Sequence, residues 1–185
     1  FGKDDNSRIA DPFNTGRIFS WLLCETRDDR GNVVIYEYKQ EDSALVDVTE
    51  PHERSRGDIN SPLRTANRYI KHIYYGNRVP LLDNAGHRPI NLLQQDLQNA
   101  GWMFEVVFDY GEHDLTDPKP GDNGTWFCRN DPFSSCRQGF DVRSYRLCQR
   151  VLMYHHFPAE AGIGQNCLVC SIDIAYRNIR GIAAD

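Results

Sequence analysis

Residues 102–110, WMFEVVFDY, decide the fold class of this chain. The stretch is rich in aromatic and β-branched residues, and its side chains fall alternately on two faces. A period of two is typical of a strand in a half-buried sheet. One face holds Trp102, Phe104, Val106, Phe108 and Tyr110, and the other holds Met103, Glu105, Val107 and Asp109.

Two further extended patterns follow this strand. Residues 140–157 form one long run, and residues 168–176 show the cleanest alternation in the chain. Residues 111–139 connect the first strand to the second and are polar and rich in glycine and proline. A connection of this length and composition is typical of a surface loop. We therefore expect two long strands flanking a loop, followed by a closing strand.

The first half of the chain also favours strands. Residues 18–26 and 33–39 are β-prone runs on either side of a short Asp/Gly/Asn turn, which is a hairpin pattern. Residues 65–75 form a further extended run. In contrast, residues 1–17 are rich in turn-forming residues and are predicted to be irregular, and residues 40–65 are predicted to be a loop with one helical turn.

Only one stretch has helical spacing. In residues 89–100, Leu92, Leu93 and Leu97 follow a helical period, with Asn91 as a possible cap and Gly101 as a stop. Strands joined by turns, without helices to form crossovers, indicate an antiparallel, mainly β fold with hairpins, long loops and at most one or two short helices. The 185 residues are predicted to form a single module.

Composition excludes several classes of function. Lys plus Arg is 21 and Asp plus Glu is 26, so the net charge is −5. The basic residues form no run, although Arg143, Arg146 and Arg150 are predicted to cluster along one strand. Nucleic-acid binding is therefore not expected. No stretch approaches the roughly 18 consecutive apolar residues of a membrane-spanning helix, and the N-terminus lacks the apolar segment of a signal peptide.

The cysteines provide two candidate pairs. Cys167 and Cys170 have the C-x-x-C spacing of half a zinc site or a redox pair. On a regular strand they would point to opposite faces, so we expect a structural role instead. Cys128 and Cys136 flank a predicted turn and could form a disulfide in an oxidising compartment, although buried thiols are the simpler interpretation.

The remaining candidates for chemistry are few. His155 and His156 are adjacent on a predicted strand and should face opposite ways. Glu112, His113 and Asp114 could form an acid/base or metal cluster, but three polar residues after a strand more often form a solvated corner. The chain has no HExxH, G-x-S-x-G or phosphate-binding glycine motif. We therefore predict no catalytic, cofactor-binding or metal-binding residues.

The loop offers a possible surface for binding. Asn123-Gly124-Thr125 is a formal glycosylation sequon, used only in a eukaryotic secretory route. A protein- or carbohydrate-binding role is the alternative function, with the loop side chains as contacts. The competing interpretation is that the aromatic residues anchor the loop onto the sheet. The candidate contacts are Trp126, Phe127, Phe133 and Arg137.

Whole phrases of the sequence resemble one known family. WMFEVVFDYGEHD (102–114) and DPFSSCRQGFDVRSYRLCQRVLMYHHF (131–157) are similar to the SpvB-type N-terminal domain of the Salmonella virulence plasmid B protein family, which also occurs in the TcB components of bacterial insecticidal Tc toxin complexes. Four upstream phrases resemble the same family in the same order: SRIADP (7–12), FSWLLCETRDDRGNVVIYEYKQEDS (19–43), PHERSRGDIN (51–60) and RTANRYIKHIYYGNRVPLL (64–82).

The resemblance implies a structural role. In this family TcB joins an Rhs-repeat TcC protein in a β-rich shell around a cytotoxic effector, and TcB docks on a TcA pore. The family module is longer at its N-terminus, so the chain resembles its later portion and is expected to contact the rest of its own polypeptide, a TcC partner and, indirectly, TcA. Secretion is implied in the same way. The family's ADP-ribosyltransferase activity resides in a separate domain with a Glu-x-Glu motif, which this chain lacks.

Overall fold

A computed structural model describes residues 1–121 and 124–176. Within these residues the chain forms ten strands and one short helix. The strands are β1 (Arg8–Asp11), β2 (Asn14–Trp21), β3 (Glu25–Arg27), β4 (Val33–Gln40), β5 (Arg68–Asn77), β6 (Trp102–Asp109), β7 (Phe133–Ser135), β8 (Val142–Ser144), β9 (Arg150–Phe157) and β10 (Gly164–Asp173), and the helix is α1 (Gln94–Gln98).

Six strands form the main sheet, in the order β10-β9-β6-β5-β4-β3. Each neighbouring pair in this sheet is antiparallel. The pairs β1–β2 and β7–β8 form two small separate sheets. The mainly β, antiparallel fold predicted from the sequence is therefore confirmed. No helix among the described residues is long and apolar enough to cross a membrane.

Two predictions for the N-terminal third were wrong. Residues 1–17 are not irregular, because β1 pairs with the residues from Asn14 onward. The predicted strand 18–26 is divided: Trp21 ends β2, and β3 begins at Glu25 in a different sheet. The residues between β2 and β3 form hydrogen bonds with two different segments. Leu22 N–H donates to Ser7 O, and Tyr36 N–H donates to Cys24 O. Sequence alternation does not reveal a change of partner sheet.

The predicted strand 140–157 was also wrong as a single element. β8 ends at Ser144 and β9 begins at Arg150, and the residues between them cross from one sheet to another. In this crossing, Tyr145 is fully buried and Arg146 is almost fully buried. Both side chains bond to the loop that precedes β5, and these contacts bend the chain away from a straight strand.

The predicted hairpin is present, whereas the predicted helix is shorter than expected. The β3–β4 hairpin is confirmed, with Glu25 opposite Ile35. α1 has only five residues and follows Leu93 rather than the predicted cap Asn91, and Asp96 accepts a hydrogen bond from Leu93 N–H. The loop 40–65 contains two single 3-10 turns, Arg54–Arg56 and Pro62–Arg64.

The main sheet has one well-covered face. On β6, Glu105, Val107 and Asp109 are buried and point to this inner face. Val107 packs with Leu152 and Tyr154 of β9 in a small core. A second core joins β4 to the segment that carries α1, and its buried members are Val33, Ile35, Leu81 and Ala100.

Candidate functional site

The buried face of β6 carries charged side chains, each with a partner. Glu105 lies between two histidines: His72 Nδ1 is 2.7 Å from its Oε1, and His156 Nε2 is 3.0 Å from its Oε2. Burial raises the pKa of this carboxyl, but hydrogen bonds from His156 and His72 outweigh burial and lower it. The backbone N–H of Asn166 approaches His156 Nδ1 at 3.4 Å. The cluster ties β5, β6 and β9 to the beginning of β10.

A second cluster on this face contains three side chains of types that can bind a metal ion. Ligand atoms of Asp109, Glu112 and His113 lie within 4.8 Å of one another. The ammonium of Lys71 contacts Glu112, lies 2.8 Å from His113 Nε2 and donates to Phe108 O at 3.1 Å. This buried ammonium supplies the positive charge that the carboxylates require. The arrangement is that of a buried lysine whose ammonium group has hydrogen-bond partners.

The predicted solvated corner was wrong for two of its three residues. The side chains of Glu112 and His113 are buried, and only Asp114 is exposed. Burial acts to raise the pKa of Glu112, but hydrogen bonds from His113 and Lys71 lower it to about 2. Gly111, with φ +101°, turns the chain back so that these side chains point inward. The sequence signal was the glycine directly before the polar triplet.

The three arginines predicted to line one strand lie in three different places. Arg143 is on β8, Arg146 is in the crossing, and Arg150 begins β9. All three are buried and paired with carboxylates. Arg150 Nε donates to Asp109 Oδ2 at 2.6 Å, Arg146 contacts Glu41, and Arg143 Nη2 lies 2.7 Å from Glu53 Oε1. These residues therefore stabilise the fold and form no basic surface.

Glu53 is the centre of the largest buried network. Arg64 contacts its Oε2, and Tyr145 O–H donates to the same atom at 2.6 Å. Arg64 also donates to the backbone oxygens of Asp58 and Gly57, at 3.0 and 3.1 Å. Burial raises the pKa of Glu53, but hydrogen bonds from Tyr145 and Arg64 outweigh it, so the pKa is lowered. The network fastens the 40–65 loop to the β8–β9 crossing.

The cysteines form no disulfide among the described residues. Cys128 is partly buried and Cys136 is exposed. Cys167 and Cys170 were predicted to point to opposite faces, and this prediction was wrong, because a bulge between Leu168 and Cys170 changes the alternation of β10. Cys167 is opposite His155 and Cys170 is opposite Met153, two positions on the same face of β9. No third ligand joins them in the described metal-like groups.

The two histidines on β9 face opposite ways, as predicted. His156 is buried on the inner face. His155 is half-buried on the other face and packs edge-on against Phe104, with ring centroids 5.0 Å apart. The pair therefore marks the two faces of the sheet.

The loop aromatics divide into an anchor and an exposed pair. Trp126 is 1% exposed, stacks on Tyr110 at 4.2 Å and lies below Lys39 Nζ at 4.4 Å. This arrangement supports the anchor interpretation for Trp126. Phe127 and Phe133 are 52% and 56% exposed. Arg137 is also exposed, and Asn123 of the sequon lies outside the described residues.

The second face of the main sheet, which we call the outer face, is apolar and only partly buried. Its side chains form two rows that cross β5, β6, β9 and β10 and a third that crosses β6, β9 and β10, and none of these side chains is Lys, Arg, Asp or Glu. An apolar sheet face normally packs against another layer. The rows are Tyr75, Phe104, His155 and Cys167; Ile73, Val106, Met153 and Cys170; and Phe108, Val151 and Ile172.

Comparison with known proteins gives consistent results. Residues 1–157 match the family described as Salmonella virulence plasmid 65kDa B protein. Mono(ADP-ribosyl)transferase SpvB from Salmonella typhimurium is 34% identical over 164 residues, which are 87% of this chain and 26% of that protein. The chain thus spans about a quarter of the length of this relative. The name of the relative describes the full-length protein.

Solved structures share both fold and sequence. The N-terminal domain of the effector protein SpvB from Salmonella typhimurium aligns with a TM-score of 0.71 and 30% identity, over 95% of this chain and 57% of that chain. TcdB2-TccC3 aligns with a TM-score of 0.73 and 33% identity, over 95% of this chain and 8% of that chain. The Photorhabdus luminescens Tc holotoxin pore aligns with a TM-score of 0.67 and 35% identity, over 91% of this chain and 7% of that chain.

The matched family is named for a virulence plasmid, one matched structure is named an effector protein, and another is named a Tc holotoxin pore. The predicted family is confirmed by the extent of the family match together with the structural similarity across nearly the whole chain. The chain belongs to the SpvB family, in the part that corresponds to the N-terminal domain of SpvB and is also present in TcdB2-TccC3.

Proposed function

We propose that the chain is a non-catalytic wall segment of a TcB-type toxin subunit, forming the later portion of an SpvB-type domain. In this role it contributes to a β-rich shell that, with a TcC/Rhs partner, encloses a cytotoxic effector for delivery through a TcA-type pore outside the producing cell. The similarity to TcdB2-TccC3 and to the Tc holotoxin pore supports these partners.

The outer face is the observation that carries this proposal. Its three uncharged rows are only partly buried, whereas Glu105, Val107, Leu152 and Tyr154 on the inner face are buried. A sheet whose inner face is buried and whose outer face is apolar is suited to a position between two layers. The buried charges support the same role, because each is held by a partner of opposite charge or by hydrogen bonds, as expected for a rigid support.

Hydroxyl-radical footprinting with mass spectrometry tests the proposal. Aromatic and methionine side chains react readily, so Phe104, Phe108 and Met153 report directly on the outer face. We expect strong labelling in the 185-residue chain and labelling reduced several-fold in the full-length subunit bound to a TccC3-type partner. Phe13, which is 70% exposed and lies in the separate β1–β2 hairpin, is the internal control. Unchanged labelling of the outer face in the assembled subunit would refute a wall position.

A further inference from the structure

The two edges of the main sheet differ in their protection. β3 forms one edge, has three residues and carries charge: Lys3 Nζ lies 2.7 Å from Glu25, and Arg27 lies 2.9 Å from Glu25. Arg27 Nη1 also donates to Pro89 O at 2.7 Å. A short, charged edge is a common means of preventing further strand pairing. The β3 edge is therefore closed.

β10 forms the other edge, and it is open. This strand has ten residues, GQNCLVCSID, without lysine, arginine or proline. Among the described residues it pairs with β9 alone. Leu168, Val169 and Ile172 are 38%, 46% and 53% exposed. A long edge strand whose single charged residue, Asp173, lies at its end presents a row of free N–H and C=O groups that can pair with a further strand.

The rows of the outer face indicate what kind of strand fits beside β10. Met153 is followed across the sheet by Cys170, and Val151 is followed by Ile172. A strand added beside β10 would continue these rows. A charged side chain there would lie next to apolar groups without an opposite charge, which is unfavourable. The fitting strand therefore has uncharged, apolar side chains at every second position on the outer face.

We propose that β10 is the strand on which the sheet is extended, by an apolar strand from the remainder of the same polypeptide. The inference rests on the proposed wall function. In TcdB2-TccC3 the matching fold occupies 8% of a chain that therefore contains much additional polypeptide. β10 is the last strand among the described residues, and it follows the residues of the family match, which end at 157.

Amide hydrogen exchange tests this pairing. In the full-length subunit, we expect amides in residues 164–173 to exchange at least about tenfold more slowly than in the 185-residue chain. β9, which is already paired on both sides, should show equal protection in both samples. Equal exchange of β10 in the two samples overturns the proposal.

Two substitutions in the full-length subunit make the test specific. Val169→Lys and Ile172→Lys each place a charge on the edge strand where the added strand would pair. Both should accelerate exchange in β10 while β9 stays protected. Ile90→Lys, at an 89% exposed loop position, is the matched control and should have no effect. If neither edge variant changes β10, the strand does not pair at this edge.

Two readouts separate the remaining explanations. If protection of β10 increases with protein concentration, the added strand comes from a second copy, and the proposal is overturned. If footprinting shows that the outer face is covered while β10 remains exchangeable, the wall function stands and only the edge assignment fails. Protection of β10 without coverage of the outer face would contradict the wall function alone.

Discussion

Removal of a single buried charge is expected to destabilise this chain strongly, because each such charge lies in a network. Arg64 is the clearest case, since it is 1% exposed and contacts both Glu53 and Tyr145. We expect Arg64→Ala to lower the free energy of unfolding by about 3–5 kcal/mol, because it leaves Glu53 buried without its main cation. Urea denaturation followed by circular dichroism measures this loss.

The control for Arg64 is a solvent-exposed ion pair. Lys119 and Asp117 are 59% and 75% exposed, with Nζ and Oδ1 2.6 Å apart. Lys119→Ala should change the free energy of unfolding by less than about 1 kcal/mol. Equal effects of the Arg64 and Lys119 substitutions would mean that the Glu53 network is not a buried support.

Glu105 provides a prediction about acid stability. Its pKa in the folded chain lies below the ordinary value of 4.5, so the unfolded chain binds more protons in the interval between the two values. Stability due to this group is complete above about pH 5 and is lost as the pH falls through the folded pKa. We expect Glu105→Gln to reduce the slope of unfolding free energy against pH in that interval by up to about 1.4 kcal/mol per pH unit.

The measurement is urea denaturation at a series of pH values from about 5 down to about 2.5, so that the series passes through and below the ordinary pKa of a glutamate. Glu160→Gln removes an exposed carboxyl in the β9–β10 turn and is the matched control. The control should keep the wild-type slope. A Glu105→Gln variant with an unchanged slope would show that the histidine contacts do not favour the charged carboxylate.

At the scale of elements, the loop between β6 and β9 is held by one aromatic anchor. Trp126 packs against Tyr110 and Tyr69, with ring centroids at 4.2 and 6.0 Å. We expect Trp126→Ala to lower the free energy of unfolding by about 3–5 kcal/mol, because it leaves a cavity beneath the loop. Phe127→Ala, at the neighbouring exposed position, should cost less than about 1 kcal/mol. Thermal or urea unfolding of both variants compares them, and a reversed order would favour a binding role for Trp126.

The β3–β4 turn depends on a glycine for two separate reasons. Gly31 has φ +84°, and a Cβ atom there would lie 2.8 Å from the backbone nitrogen of Leu81. Gly86 has φ +77° with open space around it, so it isolates the cost of conformation alone. We expect Gly86→Ala to cost about 1 kcal/mol and Gly31→Ala to cost at least about twice as much. Equal losses in urea denaturation would mean that the contact with Leu81 relaxes freely.

The elements that the sequence predicted correctly are those with local signals. The β3–β4 hairpin has a turn of Asp, Gly and Asn between two β-prone runs, and β6 has an uninterrupted period of two. The errors occur where tertiary contacts override the local pattern. The crossing at Tyr145 and Arg146 is fixed by Glu53 and Glu41, which are distant in sequence, and the bulge in β10 moves Cys170 to the face of Cys167. The absence of a catalytic or metal-binding residue remains a prediction.

At the scale of the whole molecule, the outer face explains why this fold requires a covering layer. The two faces of β6 differ in exposure although both contain valine: Val106 is half-exposed and Val107 is 0% exposed. Sequence alternation identified two faces but did not indicate which one the chain covers by itself. The decisive contacts come from the 111–121 loop and the α1 segment, whose positions depend on long-range pairing.

The uncovered face leads to a prediction about the chain in isolation. We expect the 185-residue chain to self-associate with increasing concentration, because apolar area exposed to water favours association. The triple variant Ile73→Thr, Val106→Thr and Met153→Gln should shift the chain toward monomer, since it replaces one apolar row by polar residues while threonine retains strand preference.

Val107→Thr, on the opposite face, should lower stability by about 1–3 kcal/mol and leave association unchanged. Size-exclusion chromatography with light scattering measures all three proteins. Association that persists in the triple variant at the wild-type level would place the contact elsewhere, with the β10 edge as the next position to substitute.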